Sequence, residues 1–413
     1  MSENFINAPS RWMHSDPRGP NILVSTRVRL ARNLEGRPFP HVAAPEQHRD
    51  LEDTMAAVLS EIQVAGQPLR HLSMATLTDN EKRILVEKHL MSPDFADLER
   101  PRALFLSEDH GVAVMVNEED HIRIQVFEPN WQYQQAWNLA SEIDDKIGDR
   151  TTLSFHEKFG WLTACPTNVG TGLRLSVMVH LPALSVLGQA REVTGALAQM
   201  GLAVRGLYGE KSQAHGNLYQ ISNQITLGKS EEDTMRHLDA LTQKIVEKEM
   251  QARQHLAREP YKLKDRVWRA RAILQNARIL SADEAFRTLS LDRLGMDMGI
   301  LPGIEASYIE TLVNCLRGNL QDRIERAVSG VSPEPGASLK SGASLKSGAS
   351  LKSGASPEPG VLPEPGASPE PGASTEPGAS TEPGASIELD KEALDVACAD
   401  YLRRVYASSG AGD

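Results

Sequence analysis

The stretch HIRIQVF, residues 121–127, decides the fold class because apolar and polar side chains alternate along it. Ile122 and Ile124 have one parity, whereas Arg123 and Gln125 have the other. Successive side chains of a β-strand point to opposite faces, so the pattern predicts a strand with one apolar and one polar face. The long arginine side chain then leaves the sheet on the face away from the core.

Similar patterns occur before and after this stretch. Segments 103–107 and 111–117 are predicted strands, and in LRLSVMVH (173–180) Arg174 alternates with Leu175. These short runs are separated by Gly-rich turns. We therefore predict a mainly antiparallel sheet whose arginines lie on the non-core face.

The chain changes character at residues 247–331, where helical signals replace strand signals. Ser281 and Glu284 have the spacing of a capping box, in which each side chain satisfies a donor at the helix start. A further amphipathic helix is predicted within residues 387–413, with Asp390 as its N-cap. A lone amphipathic helix cannot bury its own apolar face, so we expect it to pack back on the helical region.

A hexad repeat separates these helical segments. From Ser332 to Ala385 the chain reads SPEPGA, SLKSGA three times, SPEPGV, LPEPGA, SPEPGA, and STEPGA twice. Most units offer only alanine for packing, and Pro and Gly break regular hydrogen bonding. Residues 332–386 are predicted to be a disordered linker inserted into the helical region, and a docking tract for a partner is the alternative.

Composition argues against several classes of function. Lys and Arg number 44 against 55 Asp and Glu, so the formal net charge of −11 disfavours a nucleic-acid-binding protein. The cysteines (Cys165, Cys315 and Cys398) are few, odd in number and far apart, which favours a reducing compartment. Neither a secretory leader nor an apolar run of roughly 18 residues is apparent, so we predict a cytoplasmic protein without a membrane span.

Candidate chemistry lies in STRVRLARN (25–33), NEEDHIRIQ (117–125), ACPTNVGTGLRLSVMVHLP (164–182) and RGLYGEKSQAHGNLYQISNQITLG (205–228). Arginine forks match phosphate oxygens, so arginines two apart on a strand could hold a polyphosphate. The turn NVGTG lacks the Gly-Lys-Ser/Thr ending of a Walker loop, so no P-loop is predicted. Taken singly, each segment is better explained as a solvated strand or turn.

The order and combination of these segments are specific. Over residues 22–245 they resemble the phosphagen (guanidino) kinase family, and within it the bacterial protein arginine kinases. Only about 20 residues precede STRVR. That leaves no room for the small helical domain found before the catalytic region in kinases of free arginine or creatine. RLGMDMGIL (293–301) resembles the C-terminal domain of the same group.

The resemblance implies an α+β fold, in which a curved antiparallel sheet flanked by helices forms a phosphagen kinase catalytic domain and a helical C-terminal domain follows. The predicted segments are an N-terminal extension (1–20), the catalytic domain (21–246), the helical domain (247–331), the inserted linker (332–386) and a terminal helix of the helical domain (387–413).

The resemblance also implies ATP-dependent phosphorylation of arginine side chains in proteins. ATP and Mg²⁺ are the expected cofactors, with the metal held mainly by the nucleotide and no metal ligands expected from the protein. One alternative is a kinase for free arginine or another small guanidine. The other is a catalytically silent adaptor that regulates a repressor or a protease. Against the adaptor, every acid, thiol and arginine needed for turnover is present in the sequence.

Roles for single residues follow from the same resemblance. Glu119 and Glu210 would grip the substrate guanidinium, one acting as base, and Cys165 would lie against it as a thiolate. Phosphoryl transfer needs alignment and neutralisation of charge, which several arginines together supply. The residues expected to contact ATP or frame its pocket are Ser25, Thr26, Arg27, Val28, Arg29, His89, Arg123, Arg174, Leu175, Ser176, Val177, Met178, Arg205, Gly206, Leu207, Tyr208, Gly209 and Glu210.

Regulation shows one departure from the family pattern. Protein arginine kinases carry an Arg-Asp-x-x-Arg-Ala motif near the C-terminus that binds phosphoarginine, whereas the matching stretch here is LDVACA (394–399), without either arginine. We therefore predict a weak or absent response to phosphoarginine. Implied partners are protein substrates with exposed arginine, a heat-shock repressor, an activator protein, a Clp-type unfoldase and a second copy in a homodimer, in a stress response. Neither nucleic acid nor a membrane is expected to bind.

Overall fold

The computed structural model describes residues 5–14, 22–206, 215–328 and 390–408. Contacts divide the chain into one unit of Met1–Ile324 with Leu389–Asp413 and a second unit of Glu325–Glu388. Of the second unit only residues 325–328 are described. The predicted linker therefore lies outside the described residues, and its character stays a prediction.

The described strands are β1 (Leu23–Arg32), β2 (Gln63–Val64), β3 (Gln67–Pro68), β4 (Arg70–Ser73), β5 (Ala103–Leu106), β6 (Val112–Val116), β7 (Ile122–Pro129), β8 (Phe155–His156), β9 (Gly160–Trp161), β10 (Leu173–His180), β11 (Leu202–Gly206) and β12 (Leu218–Asn223). Eight of them form one sheet in the order β11-β12-β10-β1-β7-β6-β5-β4. Every pair in it is antiparallel, as the alternating sequence pattern predicts.

The described helices are α1 (Pro45–Ser60), α2 (Asp79–Glu87), α3 (Pro93–Asp97), α4 (Tyr133–Gly148), α5 (Pro182–Val186), α6 (Ala190–Gln199), α7 (Glu231–Leu256), α8 (Pro260–Asn276), α9 (Ala282–Asp297), α10 (Tyr308–Asn314), α11 (Arg317–Val328) and α12 (Lys391–Ser408). The Ser281 hydroxyl accepts from the N–H of Glu284 at 3.3 Å, which is the N-cap half of the predicted capping box. Asp390 accepts from the N–H of Ala393 at 2.7 Å at the start of α12.

One face of the sheet packs on helices. Ile122, Ile124 and Val126 are fully buried there, in a core shared with α1, α4, α5, α6 and α7. Helix α4 lies directly on β7 and β1. Burial of each such side chain contributes about 1.5–3 kcal/mol relative to exposure, so this face supplies much of the free energy of folding.

The opposite face is polar in sequence but is also covered. Gln125 and Ser176 are 0% and 1% exposed, because residues 5–14 and several helices pack over this side. The cover includes Trp12 of a short 3-10 helix that contacts β1 and β7. Helix α12 packs against α8 and α9, and its Leu402 is fully buried. Much of the polar face of the sheet is therefore covered.

The α+β class, with an antiparallel sheet flanked by helices and a helical C-terminal part, is confirmed. Within the described ranges, no helix is long and apolar enough to cross a membrane.

Candidate active site

Strand register brings four arginines to one face of the sheet. Arg29 of β1 lies opposite Arg174 of β10, and Arg27 lies opposite Ser176. On the other side of β1, Arg29 pairs with Gln125, so Arg123 of β7 lies on the same face two residues along. The expectation that these arginines leave the sheet together is confirmed for the described strands.

A cavity of about 180 Å³ lies over this face. It brings Glu119 and Cys165 together with three of the arginines. Its lining residues are Arg29, Leu30, Ala31, Glu119, Arg123, Cys165, Thr167, Asn168, Gly172 and Arg174. A carboxylate and a thiol thus line the same small space as three cations, so the cavity offers contacts both to a cationic and to an anionic group.

Glu119 is held in place and remains accessible. Arg123 Nη2 donates to Glu119 Oε2 at 2.8 Å, and Asn168 Nδ2 donates to the same oxygen at 3.3 Å. Its side chain is still 45% exposed. Arg123 also pairs through Nε with buried Glu118 at 2.7 Å. Although burial lowers the pKa of Arg123, the nearby carboxylates of Glu118, Glu119 and Asp120 raise it overall above its ordinary value.

A buried knot fixes the position of Glu119 relative to Cys165. Asp120 accepts from Asn33 Nδ2 at 2.8 Å and from the N–H of Ala164 at 2.7 Å. Asn33 also accepts from the N–H of His121 at 2.9 Å. Because Asn33 ends STRVRLARN, this knot ties the first three motifs together on either side of the cavity.

The thiol of Cys165 has a polar neighbour in Thr167, whose Oγ1 lies 3.0 Å from Sγ. Cys165 is the N-cap of a short 3-10 helix, Pro166–Asn168, which contains Thr167 and directs Asn168 toward Glu119. The loop therefore supplies three of the cavity-lining side chains from four consecutive positions.

The arginines carry an electrostatic cost. Burial, and then repulsion from Arg123 and Arg174, lower the pKa of Arg27 to about 9. Burial and the repulsion of Arg27, Arg174 and Arg123 also lower the pKa of Arg29. Among the described residues, the Nε atoms of Arg27 and Arg29 find no hydrogen-bond partner. Clustered cations with unused donors are what a polyphosphate would satisfy.

A second pocket adjoins the first along β1. Ser25, Arg27, His89, Ser176 and Met178 line it together with Trp12, Phe127 and Gln220. The ring centroids of Trp12 and His89 lie 5.6 Å apart, and Trp12 Nε1 donates to the carbonyl of Lys88 at 3.1 Å. Burial and the charges of Arg27 and Arg29 lower the pKa of His89 to about 3, so its imidazole is neutral.

Other expected ATP-site residues direct their side chains elsewhere. The side chains of Val28, Leu175 and Val177 are buried in the helix-covered core on the opposite face of the sheet. Thr26 is also buried, and its hydroxyl donates to the carbonyl of Asn130 at 2.8 Å. The side chains of these four residues therefore do not reach a ligand in either cavity.

His121 does not join Glu119 and Arg123, although the three share parity. The chain turns at residues 117–121, where Asn117 has φ of +64°, and β7 begins only at Ile122. His121 therefore points to the neighbouring loop, where Nδ1 accepts from the N–H of Leu34 at 3.0 Å.

The fourth motif is described only in part. Arg205 and Gly206 end strand β11, and Arg205 lies opposite Gln220 on the site-bearing face. The expected ligand-contacting residues Leu207, Tyr208, Gly209 and Glu210 lie outside the described residues.

Several residues in or beside the two cavities escaped sequence reasoning. Gln125 could have been found, since it shares parity with Arg123; the amide accepts from Arg27 and donates to the carbonyl of Leu90 at 3.0 Å. Asn168 sits in the NVGTG turn, whose sequence carries no signal for a contact with Glu119. Trp12 belongs to a segment with no strand or helix signal, and nothing in the local sequence indicates its role.

The stretch that matches the phosphoarginine-binding motif lies in α12. Leu394 and Cys398, at the positions of the two arginines, are 9% and 1% exposed within the second core. The weak response to phosphoarginine stays a prediction.

Comparisons with known proteins fit this geometry. The profile of the ATP:guanido phosphotransferase C-terminal catalytic domain matches residues 50–252, and that of the protein-arginine kinase McsB C-terminal domain matches residues 260–332. A protein-arginine kinase of Symbiobacterium thermophilum is 46% identical over 316 residues, which cover 76% of this chain and 89% of that protein. This chain belongs to the protein-arginine kinase family. The family resemblance and the kinase class predicted from the sequence are thereby confirmed.

Further relatives of the family agree. A protein-arginine kinase of Halalkalibacterium halodurans is 45% identical, with 75% of this chain and 88% of that protein covered. A solved structure, the duplicated taurocyamine kinase of Schistosoma mansoni with bound transition state analog components, superposes with a TM-score of 0.50 at 25% identity. The match covers 60% of this chain and 36% of that longer one.

Proposed function

We propose that this kinase transfers the γ-phosphoryl group of ATP to a guanidinium nitrogen of arginine side chains in proteins. The observation that carries the proposal is the single cavity in which Glu119 and Cys165 face Arg29, Arg123 and Arg174. Glu119 and Cys165 suit a guanidinium cation, and the arginines suit phosphates.

In this proposal Arg27, Arg29, Arg123 and Arg174 bind the phosphates and the phosphoryl group in transit. Phosphoryl transfer requires little covalent help from the protein, but it requires alignment and compensation of negative charge. Burial and mutual repulsion lower the pKa of Arg27 and of Arg29, so the fold keeps these cations close together at an electrostatic cost. Preorganised donors of this kind need little rearrangement as charge develops.

We assign the nucleoside to the second pocket, which holds only about 10 Å³ in this structure and must widen to admit a base. Trp12 and His89 present aromatic rings that suit contact with a purine, and Gln220 and Ser176 supply polar atoms, with Gln220 Nε2 donating to Ser176 Oγ at 3.0 Å. Neutral His89 adds no charge to the cluster of arginines.

Glu119 binds the substrate guanidinium and takes its proton. A guanidinium holds its proton with a pKa above about 12, so the proton leaves only as the N–P bond forms and the bond from phosphorus to the ADP oxygen breaks. Paired hydrogen bonds to a carboxylate also fix the plane of the guanidinium. Cys165 lies against the same group, and Glu210 is proposed as the second carboxylate.

Mg²⁺ fits this site as an ion carried by the nucleotide. Within the described ranges no group of three His, Cys, Asp or Glu side chains could hold a metal, and Glu118 and Glu119 are engaged by Arg123. When bound to ATP, the ion would neutralise part of the phosphate charge. The cytoplasmic location, the stress role, the homodimer, and the repressor, activator and Clp-type partners stay predictions from the resemblance.

The test is labelled phosphoryl transfer to a protein substrate. The purified kinase is incubated with γ-labelled ATP and either an arginine-rich protein, the same protein with every arginine replaced by lysine, or free arginine. We expect acid-labile label on the first only. Label on the lysine version would contradict arginine as acceptor, and faster transfer to free arginine would favour the small-guanidine kinase.

A further inference from the structure

Three backbone segments lie side by side next to the cavity. The middle one is the loop 165–172, which carries Cys165. Trp161 in β9 donates its N–H to the carbonyl of Gly170 at 2.8 Å, and on the other side Thr171 donates to the carbonyl of Thr226 at 3.1 Å. The β8–β9 hairpin and the segment after β12 thus flank the cavity loop.

Two glycines fix how close these segments lie. A Cβ on Gly160 would lie 2.5 Å from the carbonyl oxygen of Gly170, and a Cβ on Gly170 would lie 2.2 Å from that of Thr226. Their φ values of +74° and +114° also favour glycine. The outer segments are therefore held at a set distance from the cavity loop.

The two outer segments expose apolar side chains. Phe155 and Phe159 on the hairpin are 56% and 43% exposed, and Ile225 and Leu227 after β12 are 49% and 50% exposed. We call these four residues the apolar rim. No other phenylalanine of the described chain is so exposed. Grouped exposed apolar side chains mark interaction surfaces.

The hairpin side of the rim is anchored at its base. The ring of Phe155 packs edge-on against Trp161 at 5.0 Å, and Trp161 lies over the guanidinium of Arg32 at 4.2 Å. Arg32 is itself buried and paired with Asp144 at 2.6 Å. Exposure at Phe155 therefore reflects a supported side chain at the surface.

We propose that the apolar rim binds apolar side chains that flank the target arginine in an extended segment of the protein substrate. This inference rests on the proposed function. The cavity accommodates a guanidinium and its side chain, so the rest of the substrate must remain outside. Loop 165–172 lines the cavity and is hydrogen-bonded to both rim segments, so residues next to the target arginine emerge beside these segments. A second copy of this chain is the rival occupant.

The test compares two peptides of equal length, each with one arginine. One has leucine and phenylalanine beside the arginine, and the other has serine at those positions. For the unaltered kinase we expect kcat/KM for the apolar peptide to exceed that for the serine peptide by about tenfold or more, mainly through KM, since burial of one apolar side chain suffices for such a factor.

Two double variants probe the rim: F155S with F159S, and I225S with L227S. Each is expected to lower kcat/KM for the apolar peptide by about tenfold and to leave the serine peptide within about twofold, so that the preference collapses. The matched control is Tyr261→Ser on α8, an 85% exposed aromatic side chain, which should leave the preference intact.

The outcomes separate the two proposals. Undiminished preference in both double variants, or an equal loss on both peptides, would overturn the rim while arginine phosphorylation stands. If light scattering shows that a double variant changes its oligomeric state while the preference is retained, the rim binds a second copy of this chain. That result would also overturn the proposal that the rim binds the substrate. Label on neither peptide from the unaltered kinase would remove the proposed function and the rim with it.

Discussion

The two faces of the central sheet are formed by the same strands, but one face stabilises the fold and the other forms the candidate site. Ile124, Val28 and Leu175 point into the helix-covered core and are fully buried. Their neighbours Arg29 and Arg174 point to the other side and line the cavity. One face gains free energy of folding by burying apolar area, whereas the other holds like charges together at a cost in stability.

The difference indicates where stability and activity can be separated. A residue of the apolar face should change unfolding and leave chemistry alone. Substitution of an arginine on the site-bearing face should lower activity and leave the free energy of unfolding nearly unchanged. The negative charge that compensates these arginines comes from ATP and not from the fold. Single substitutions on the two faces can test this.

The largest effect is expected from Arg29→Met. Loss of one arginine that compensates phosphoryl charge lowers the rate by about a thousandfold or more. Because burial and neighbouring arginines lower the pKa of Arg29, its removal should leave the free energy of unfolding unchanged or raise it. Rates of labelled transfer and urea unfolding measure both. Arg150→Met, at a 50% exposed arginine paired with Glu61, is the control. A destabilised but fully active R29M would reverse the proposed division of the faces.

Glu119→Gln comes next. Loss of the base lowers kcat by about 10²–10⁴-fold, while the amide keeps the size of the side chain. The measurement is kcat on an arginine protein at saturating ATP. Glu142→Gln, at a 58% exposed glutamate of α4, should have no effect. An unchanged kcat for E119Q would exclude Glu119 as the base.

On the apolar face, Ile124→Ala is expected to lower the free energy of unfolding by about 2–5 kcal/mol, because it leaves a cavity in the core. The KM for ATP should stay the same below the unfolding transition. Denaturant titration and steady-state kinetics on one preparation give both values. A large change in KM would mean that the two faces are coupled through the strand.

A nucleotide should stabilise the folded protein through the site-bearing face alone. A non-hydrolysable ATP analogue, kept at a hundred times its Kd for the unaltered kinase, adds about 2.7 kcal/mol to the free energy of unfolding of that kinase. The measurement is the shift of the unfolding midpoint at this one concentration in every variant. The shift should survive in I124A and shrink in R29M. Equal shifts in both variants would argue against phosphate binding by Arg29.

The smallest expected effect is on the pH dependence of stability, through Glu87 in helix α2, which helps to cover the site-bearing face. Glu87 accepts from the N–H of Gly318 at 2.8 Å and from Asn319, and burial raises the pKa of Glu87 to about 7. Its contribution to stability is therefore full below about pH 4.5 and lost as pH rises through 7. Glu87→Gln should flatten this slope, by about 1–3 kcal/mol between these limits, in unfolding curves over pH. An unaltered slope would show that Glu87 ionises freely.

Local patterns predicted the strands well because alternation is a property of neighbouring residues. The spacing of Arg27 and Arg29 places both side chains on one face whatever the rest of the fold does. Caps behave in the same way, since Ser281 and Glu284 meet within a single turn. The resemblance added Glu119 and Cys165, and the structure brings both to one cavity, although their roles stay proposals.

Contacts between distant parts of the chain could not be read in this way. Asn168 reaches Glu119 across 49 positions, and Trp12 reaches the carbonyl of Lys88 across 76. His121 shares parity with Glu119 but leaves the site, because the turn before β7 breaks the two-residue period.

The sequence by itself determined the antiparallel sheet, the common face of its arginines and the family, since each depends on local spacing or on the order of motifs. Only the tertiary structure decided which neighbours those arginines have. It covered the polar face with residues 5–14 and buried helices, and it set loop 165–172 between two apolar segments. Packing of distant segments fixes burial and charge at a site, and these are set by no single stretch of chain.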